Sequence, residues 1–386
     1  MYPKVKPALA RAWRDLQTVQ FGVTPAHAVV LGPVDTATGA FIGRIDGTRG
    51  IESLRAEGAG MGLSEGRVDE LIRRLAGAGL LDDATVGGPR AQAVRRRPES
   101  LERLGPDLAS LSLVRREPGG DLRGVAARRA IRVQVRGSGR VGAVIAAVLA
   151  GAGVGRVEVL DGGRVQPADV APGGLGPGSV GRLRAEAAGA LVREAAPGRA
   201  PRAGEGEGPE PGLSLVVVAP RDGLQAWAPD PETAADWVAT GTPHLYAGVL
   251  EGTGLVGPLV LPGVTACAGC MERDRIDRDP AWPRMLVQWR SAHRRRATAA
   301  CDLGLASAVA GLAAGHALSF LDGRLPASTG ARWEAALPGL SWELSEVRPH
   351  GDCPCSAAAV PDATPVPAGA GGGGGTVSGR GRGGSG

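Results

Sequence analysis

The stretch GSGRVG sets Gly137, Gly139 and Gly142 in the pattern G-x-G-x-x-G, a spacing suited to holding a phosphate. The first glycine permits a tight turn, and the second lets backbone approach the phosphate. The third lets the following helix pack closely on a sheet, with the phosphate at the helix N-terminus. Alone this pattern is weak evidence. Here it follows an apolar run at 131–136 and opens an Ala-rich segment, and the next apolar run, RVEVL, ends in Asp161 at about the spacing expected of an acid that holds a ribose. The constellation predicts a nucleotide site and does not separate NAD from ATP, because both present phosphates and a ribose.

The cysteines offer a second chemistry. CAGC puts Cys267 and Cys270 on a knuckle whose thiolates can share one ion, and DCPC adds Cys353 and Cys355. Four sulfur ligands from two short loops match a closed tetrahedral Zn²⁺ site, which cross-links distant segments and leaves no open position for catalysis. Cys301, ahead of a long apolar helix, reads as a small buried hydrophobe. His244 and His316, in apolar surroundings, read as packed side chains.

Composition narrows the partners. A chain of 386 residues with 43% hydrophobic residues predicts two domains plus tails. The net charge of +5 comes almost entirely from arginine, since Lys4 and Lys6 are the only lysines. The runs Arg95–Arg97 and Arg294–Arg296 are short and aromatics make up only 3%, which argues against a nucleic-acid partner. No N-terminal segment has the form of a signal peptide, and no apolar run approaches the ~20 residues of a membrane helix, so a cytoplasmic protein without a membrane partner is expected. In a reducing compartment, five cysteines point to metal rather than to a disulfide scaffold.

These groups must be positioned by regular elements. Residues 1–90 read as a small winged-helix-like α+β domain, a module that binds DNA or peptides, between which the fold alone does not choose. Within it Ser64 caps EGRVDELIRRLAGAGLL, whose Val68, Leu71, Ile72 and Leu75 share one face and which Gly77 and Gly79 stop. Residues 91–128, rich in Arg, Gly and Pro, read as a linker. From 129 to 356 the pattern alternates strands at 131–136, 156–160, 213–219 and 244–249 with helices near 140–152, 180–195 and 231–240, the signature of an α/β domain with a mainly parallel sheet. The stretch 201–212 reads as a flexible loop, and 357–386 as a disordered Gly-rich tail.

The glycine turn, the aspartate after the second strand, CAGC, a cysteine before an Ala-rich helix and a closing cysteine pair, in that order, resemble the ThiF/MoeB/HesA family of E1-like adenylyltransferases. AGAGVGRVEVLD and HLYAGVLEGTGLVGPLVLPGVTACAGC carry the likeness most closely. The resemblance implies a Rossmann-like, zinc-stapled domain that binds ATP and Mg²⁺. Such proteins adenylate the C-terminal carboxylate of a ubiquitin-like, sulfur-carrier or precursor-peptide partner. By motif, Gly137, Gly139 and Gly142 would line the phosphates, Asp161 would hold the ribose, and Asp222 in VVVAPRDG would serve the metal and the adenylate. Departures are as informative. The second acid of the family's D-x-D is Gly163, and the Asn after Asp222 is Gly223. The N-L-x-R motif reads Asp169-Val170-Ala171-Pro172 and lacks its arginine. The family's lysine is Arg184, and Arg140 stands inside the glycine turn where the family has another glycine. Asp222 and Arg184 are the catalytic candidates. Asp169 and Arg140 join them and the glycines in holding the nucleotide.

The N-terminal module supports an alternative. Winged-helix-like domains fused to this fold resemble leader-peptide-binding proteins, which present a thiazole/oxazole-type precursor to a separate modifying enzyme such as a cyclodehydratase, without ATP turnover. A homodimer is implied by resemblance as well. An NAD-dependent oxidoreductase would explain Gly137 to Asp161 and leave the cysteine pairs without a purpose.

Overall fold

The computed structural model describes residues 1–357 apart from residues 84, 87, 199–211, 294–297 and 356. The loop expected at 201–212 (save Gly212), the arginines at 294–296 and the tail beyond 357 lie outside the described residues. Two compact units divide the chain, one running from Met1 to Ala126 and one beginning at Ala127.

The first unit contains β1 (Pro3–Val5), β2 (Arg11–Asp15), β3 (Thr18–Phe21), β4 (Val29–Leu31) and β5 (Leu81–Asp83). Strands β2, β3 and β4 form an antiparallel sheet in that order, and β1 pairs antiparallel with β5. Ser64 accepts a hydrogen bond from the Arg67 amide and starts the helix Glu65–Gly77, whose Val68, Leu71, Ile72 and Leu75 are buried. They share a core with Phe21, Phe41, Ile45 and Leu54. The outer strand β2 is exposed at all five residues.

The segment expected as a linker is helical. The helices Gly88–Arg95, Pro98–Arg103, Gly105–Val114 and Gly120–Arg128 surround a small core of Val94, Leu104, Leu111 and Val125. Each helix is short and brings few apolar side chains, too few to stand out as periodicity against the Arg/Gly/Pro background. Lys6, 2% exposed, donates to the Ser112 carbonyl at 2.6 Å and so caps the end of Gly105–Val114.

The second unit holds β6 (Arg132–Arg136), β7 (Arg156–Leu160), β8 (Leu213–Val218), β9 (His244–Leu250), β10 (Thr253–Val260), β11 (Ala331–Ala336) and β12 (Glu343–Glu346) in one seven-stranded sheet, ordered β12-β11-β10-β9-β8-β6-β7. Strands β7, β6, β8 and β9 are parallel, as expected, and the antiparallel strands β10 to β12 extend them. Helices Gly142–Gly151, Arg184–Ala195 and Pro231–Ala239 stand where the alternation placed them. The run LSLVVV of β8 is apolar but for Ser214, and its last four residues are buried because the strand is covered on both faces. Leu215 and Val217 join the core beneath Gly142–Gly151, and Val216 and Val218 join the core around Trp237 and Cys267.

Among the described residues one helix, Leu303–Leu321, is long and apolar enough to cross a bilayer, contrary to the expectation that no apolar run reaches that length. Its Leu305, Val309, Ala313 and Ala317 are buried in the core. A Cβ on Gly254 of β10 would stand 2.7 Å from both Leu305 Cδ1 and Val309 Cγ2, so this helix lies directly on the sheet.

From β6 the chain passes to β7 on one side, and the next strand, β8, lies on the other. The order therefore reverses between β6 and β8. In an open α/β sheet, the crevice beyond the C-terminal ends of such strands is where ligands bind.

Candidate functional site

Gly137 leaves β6 and Pro220–Asp222 leave β8, so both loops open at that crevice. Gly137 has φ +107, and a Cβ on it would lie 2.0 Å from the Ala219 carbonyl oxygen. A Cβ on Gly142 would lie 2.1 Å from the Gly137 carbonyl oxygen. Neither position admits a side chain, and the helix Gly142–Gly151 begins hard against the turn. Gly139 faces the stem of Arg221, where a Cβ would come within 3.2 Å of Cγ.

Asp161 ties this turn to the end of β7. The Ser138 amide and hydroxyl donate to its Oδ2 at 2.7 and 2.9 Å, and Arg184 Nε lies 3.0 Å from its Oδ1. Arg184 also donates to the Arg164 carbonyl at 3.0 Å. It stands behind Asp161, outside the residues that line the cavities.

Two cavities meet at the crevice. One, of about 640 Å³, is lined by Arg136, Gly137, Asp161, Gln225 and Trp237, together with Arg221 and Asp222. The other, of about 550 Å³, is lined by Arg140, Gln166, Asp169, Glu251 and Cys301, again with Arg221 and Asp222. Asp222 accepts from the Leu224 amide at 3.2 Å and so starts the short helix Leu224–Trp227. Gly223 has φ +74, and a Cβ there would meet the Val249 carbonyl oxygen at 2.1 Å. The backbone of β9 therefore excludes the family's Asn. Asp169 is 2% exposed, accepts from the Gln166 amide at 2.8 Å, and pairs with Arg221 Nε. Arg140 lines the second cavity while donating to the carbonyls of Ala168 and Cys301 at 2.7 and 2.8 Å.

The crevice thus gathers Gly137, Asp161, Asp222, Asp169 and Arg140, with Gly139 and Gly142 forming the floor of the turn and Arg184 behind it. Arg221, Gln166 and Glu251 were not singled out from the sequence. Arg221 had one signal, its place beside Asp222 after an apolar run. Nothing in the spacing marks the other two.

The four cysteines converge elsewhere in the same unit. Cys267 caps the helix Ala268–Arg278, which carries Cys270. All four Sγ atoms lie within 4.8 Å of one another, with separations of 3.9 Å for Cys267–Cys270, 3.6 Å for Cys267–Cys353 and 3.4 Å for Cys270–Cys355. Zn–S bonds of about 2.3 Å give a tetrahedron with edges of about 3.8 Å, so the set fits that ion. The hydrogen bond between Cys267 and Cys270 raises the Cys267 thiol and lowers that of Cys270.

The cysteine-bearing helix also anchors the short helix Leu224–Trp227 that follows Asp222. Its Arg275 and Arg332 of β11 both donate to the Trp227 carbonyl, at 2.5 and 3.1 Å, and both guanidinium groups lie over the Trp227 ring at 5.5 and 5.3 Å. Burial lowers both groups, Arg275 to about 10. They hold the far end of the helix that Asp222 begins.

The ThiF family matches residues 120–355. Similar solved structures include E. coli MccB with ATP, at 15% identity and TM-score 0.60 over 92% of this chain and 99% of that one. The microcin C7 biosynthetic enzyme MccB in complex with N-formylated MccA is similar at 15% identity and TM-score 0.61, with the same coverage. PaaA is similar at 16% identity and TM-score 0.63, over 89% of this chain and 99% of that one. No curated protein sequence matches the chain. At these identities the structural likeness is one of fold, and the family match spans more than half of the sequence. The chain belongs to the ThiF family, whose E1-like, Rossmann-type fold is carried by its second unit.

Proposed function

We propose that the protein binds ATP with Mg²⁺ at the crevice and adenylates the C-terminal carboxylate of a peptide or ubiquitin-like partner. The observation that carries this reading is the pair of cavities sharing the wall Arg221–Asp222. A nucleotide with its ribose beside Asp161 would bring its α-phosphate to that wall, and an acceptor carboxylate would approach from the other side. The carboxylate oxygen then bonds to the α-phosphorus while the bond to the leaving pyrophosphate breaks, giving an acyl-adenylate. Both reactants are anions, so catalysis rests on fixed positive charge and positioning.

Gly137, Gly139 and Gly142 allow phosphates close to the backbone, and Arg140 brings a cation to the acceptor side. Asp222 would hold Mg²⁺, which when bound neutralises phosphate charge. Arg184 serves as a cation behind the ribose acid, reaching phosphate only by leaving Asp161. Zinc at Cys267, Cys270, Cys353 and Cys355 would act as a cross-link with no part in the reaction. Solved structures of MccB with ATP and with N-formylated MccA support the reading by analogy.

A second reading is favoured by the exposed outer strand β2, with Trp13 at 46% and the neighbouring Leu16 at 92% exposure. Such an edge can receive an extended leader peptide by backbone pairing, presenting it to a modifying enzyme without turnover. Pyrophosphate exchange with candidate peptides, comparing wild type with Asp222→Ala, decides between the two. Exchange that Asp222→Ala abolishes supports adenylation, and no exchange in the wild type leaves docking alone.

A further inference from the structure

We propose that Arg221 is the cation that meets the nucleotide's phosphates in this chain, held ready by Asp169 and Gln166. This rests on reading the crevice as an ATP site. Position 172, where the family carries its phosphate-binding arginine, is proline. Asp169, three residues earlier, is nevertheless buried and engaged with a guanidinium from a different loop, that of Arg221.

Three observations place Arg221 where phosphates must pass. It lines both cavities, so an elongated anionic ligand spanning them crosses it. Its stem packs on Gly139, the central glycine of the turn, which sets the guanidinium beside the phosphate cradle. Its Nε is fixed by Asp169 and one terminal nitrogen by Gln166 Oε1, while the other terminal nitrogen has no hydrogen bond among the described residues. The remaining arginines are differently engaged. Arg184 pairs with Asp161, Arg140 donates to two carbonyls, and Arg136 donates to Gln134 Oε1 and lies over the Trp237 ring. Arg221 is 37% exposed at its side chain, against 15% for Arg184. A planar guanidinium already oriented on one edge loses little freedom when the other edge meets a phosphate. Asp169 is then a positioning residue, acting through Arg221.

The test is direct binding of adenosine and of Mg²⁺–ATP to the full-length protein, in wild type, Arg221→Ala, Arg221→Lys and Asp169→Asn. A charge-assisted phosphate contact predicts that Arg221→Ala weakens ATP by about 10- to 100-fold and leaves adenosine unchanged. Arg221→Lys should recover part of the loss, and Asp169→Asn should weaken ATP selectively through misorientation. Unchanged ATP affinity in Arg221→Ala overturns the assignment. Equal loss of adenosine and ATP also overturns it, because Arg221 would then be a clamp for the 166–169 loop. Wild type that binds neither ligand removes the nucleotide reading as well, whereas wild type that binds ATP without pyrophosphate exchange removes adenylation alone.

Discussion

Gly223 stands where the family has asparagine, and its surroundings explain why. A Cβ would lie 2.1 Å from the Val249 carbonyl oxygen, so Gly223→Asn, which restores the family residue, is predicted to destabilise by about 2–4 kcal/mol. Thermal unfolding checks this, and a variant as stable as wild type would contradict the close approach. Gly137 and Asp161 were legible from spacing because strand, turn and strand are consecutive in sequence. Gly223 and Arg221 were not, since what constrains them is a neighbouring strand and a distant loop. His244, expected as a packed residue, is fully buried between Trp237 and Tyr246, with ring centroids at 5.2 and 5.5 Å. Burial lowers it from 6.5 to about 4. The unfolded chain therefore takes up this proton first, so the neutral side chain's contribution is complete above pH 6.5 and is lost as pH falls from 6.5 towards 4. Denaturant unfolding at pH 7 and pH 4.5 should show wild type losing about 2–3 kcal/mol more than His244→Phe. Equal losses would show that His244 does not titrate in this way.

The cysteine cluster is linked to the short helix that follows Asp222 by the helix Ala268–Arg278, through Arg275 and the Trp227 carbonyl. Elemental analysis should find one zinc per chain in wild type and loss of zinc in Cys353→Ser. That loss should lower Tm by about 5–15 °C, since a closed zinc site contributes directly to folding. Full zinc content in Cys353→Ser would exclude that ligand. Arg275→Ala, by contrast, should keep its zinc and reduce pyrophosphate exchange, because the helix beginning at Asp222 loses one of its two anchors. The cysteine pairs were legible as candidate ligands because each pair is local, and the fold brings the two pairs together. Their link to Asp222 was not, because a carbonyl acceptor leaves no trace in the sequence. The helices of 88–128 were missed for a different reason: their small core is assembled from a few side chains on each.

Across the whole molecule, the βαβ alternation made the parallel half of the sheet readable, because β6 and β7 alternate valine with polar residues and β8 and β9 are mainly apolar. The hairpin of β9 and β10 was implied by the resemblance of HLYAGVLEGTGLVGPLVL, whereas strands β11 and β12 were not anticipated. Strand β12 is exposed at every residue and β11 carries Arg332 and Glu334, so neither has a strongly apolar pattern. The first unit has its own cores around Phe41 and around Leu104. If it docks peptide on β2, Trp13→Ala should weaken peptide binding to the full chain while leaving ATP affinity unchanged, as read by titration with a fluorescent peptide. Unaltered peptide affinity would move docking off this strand. A homodimer rests on resemblance alone, and light scattering at micromolar concentration would test it.

In the proposed reaction, ATP at the β6/β8 crevice adenylates a carboxylate, with Asp222 at the shared wall. Pyrophosphate exchange into ATP, measured with candidate peptides for wild type and Asp222→Ala, tests it most directly. Peptide-dependent exchange is expected in wild type and its loss in Asp222→Ala. Exchange that persists undiminished in Asp222→Ala, or none in wild type with any acceptor while ATP binds, would contradict it.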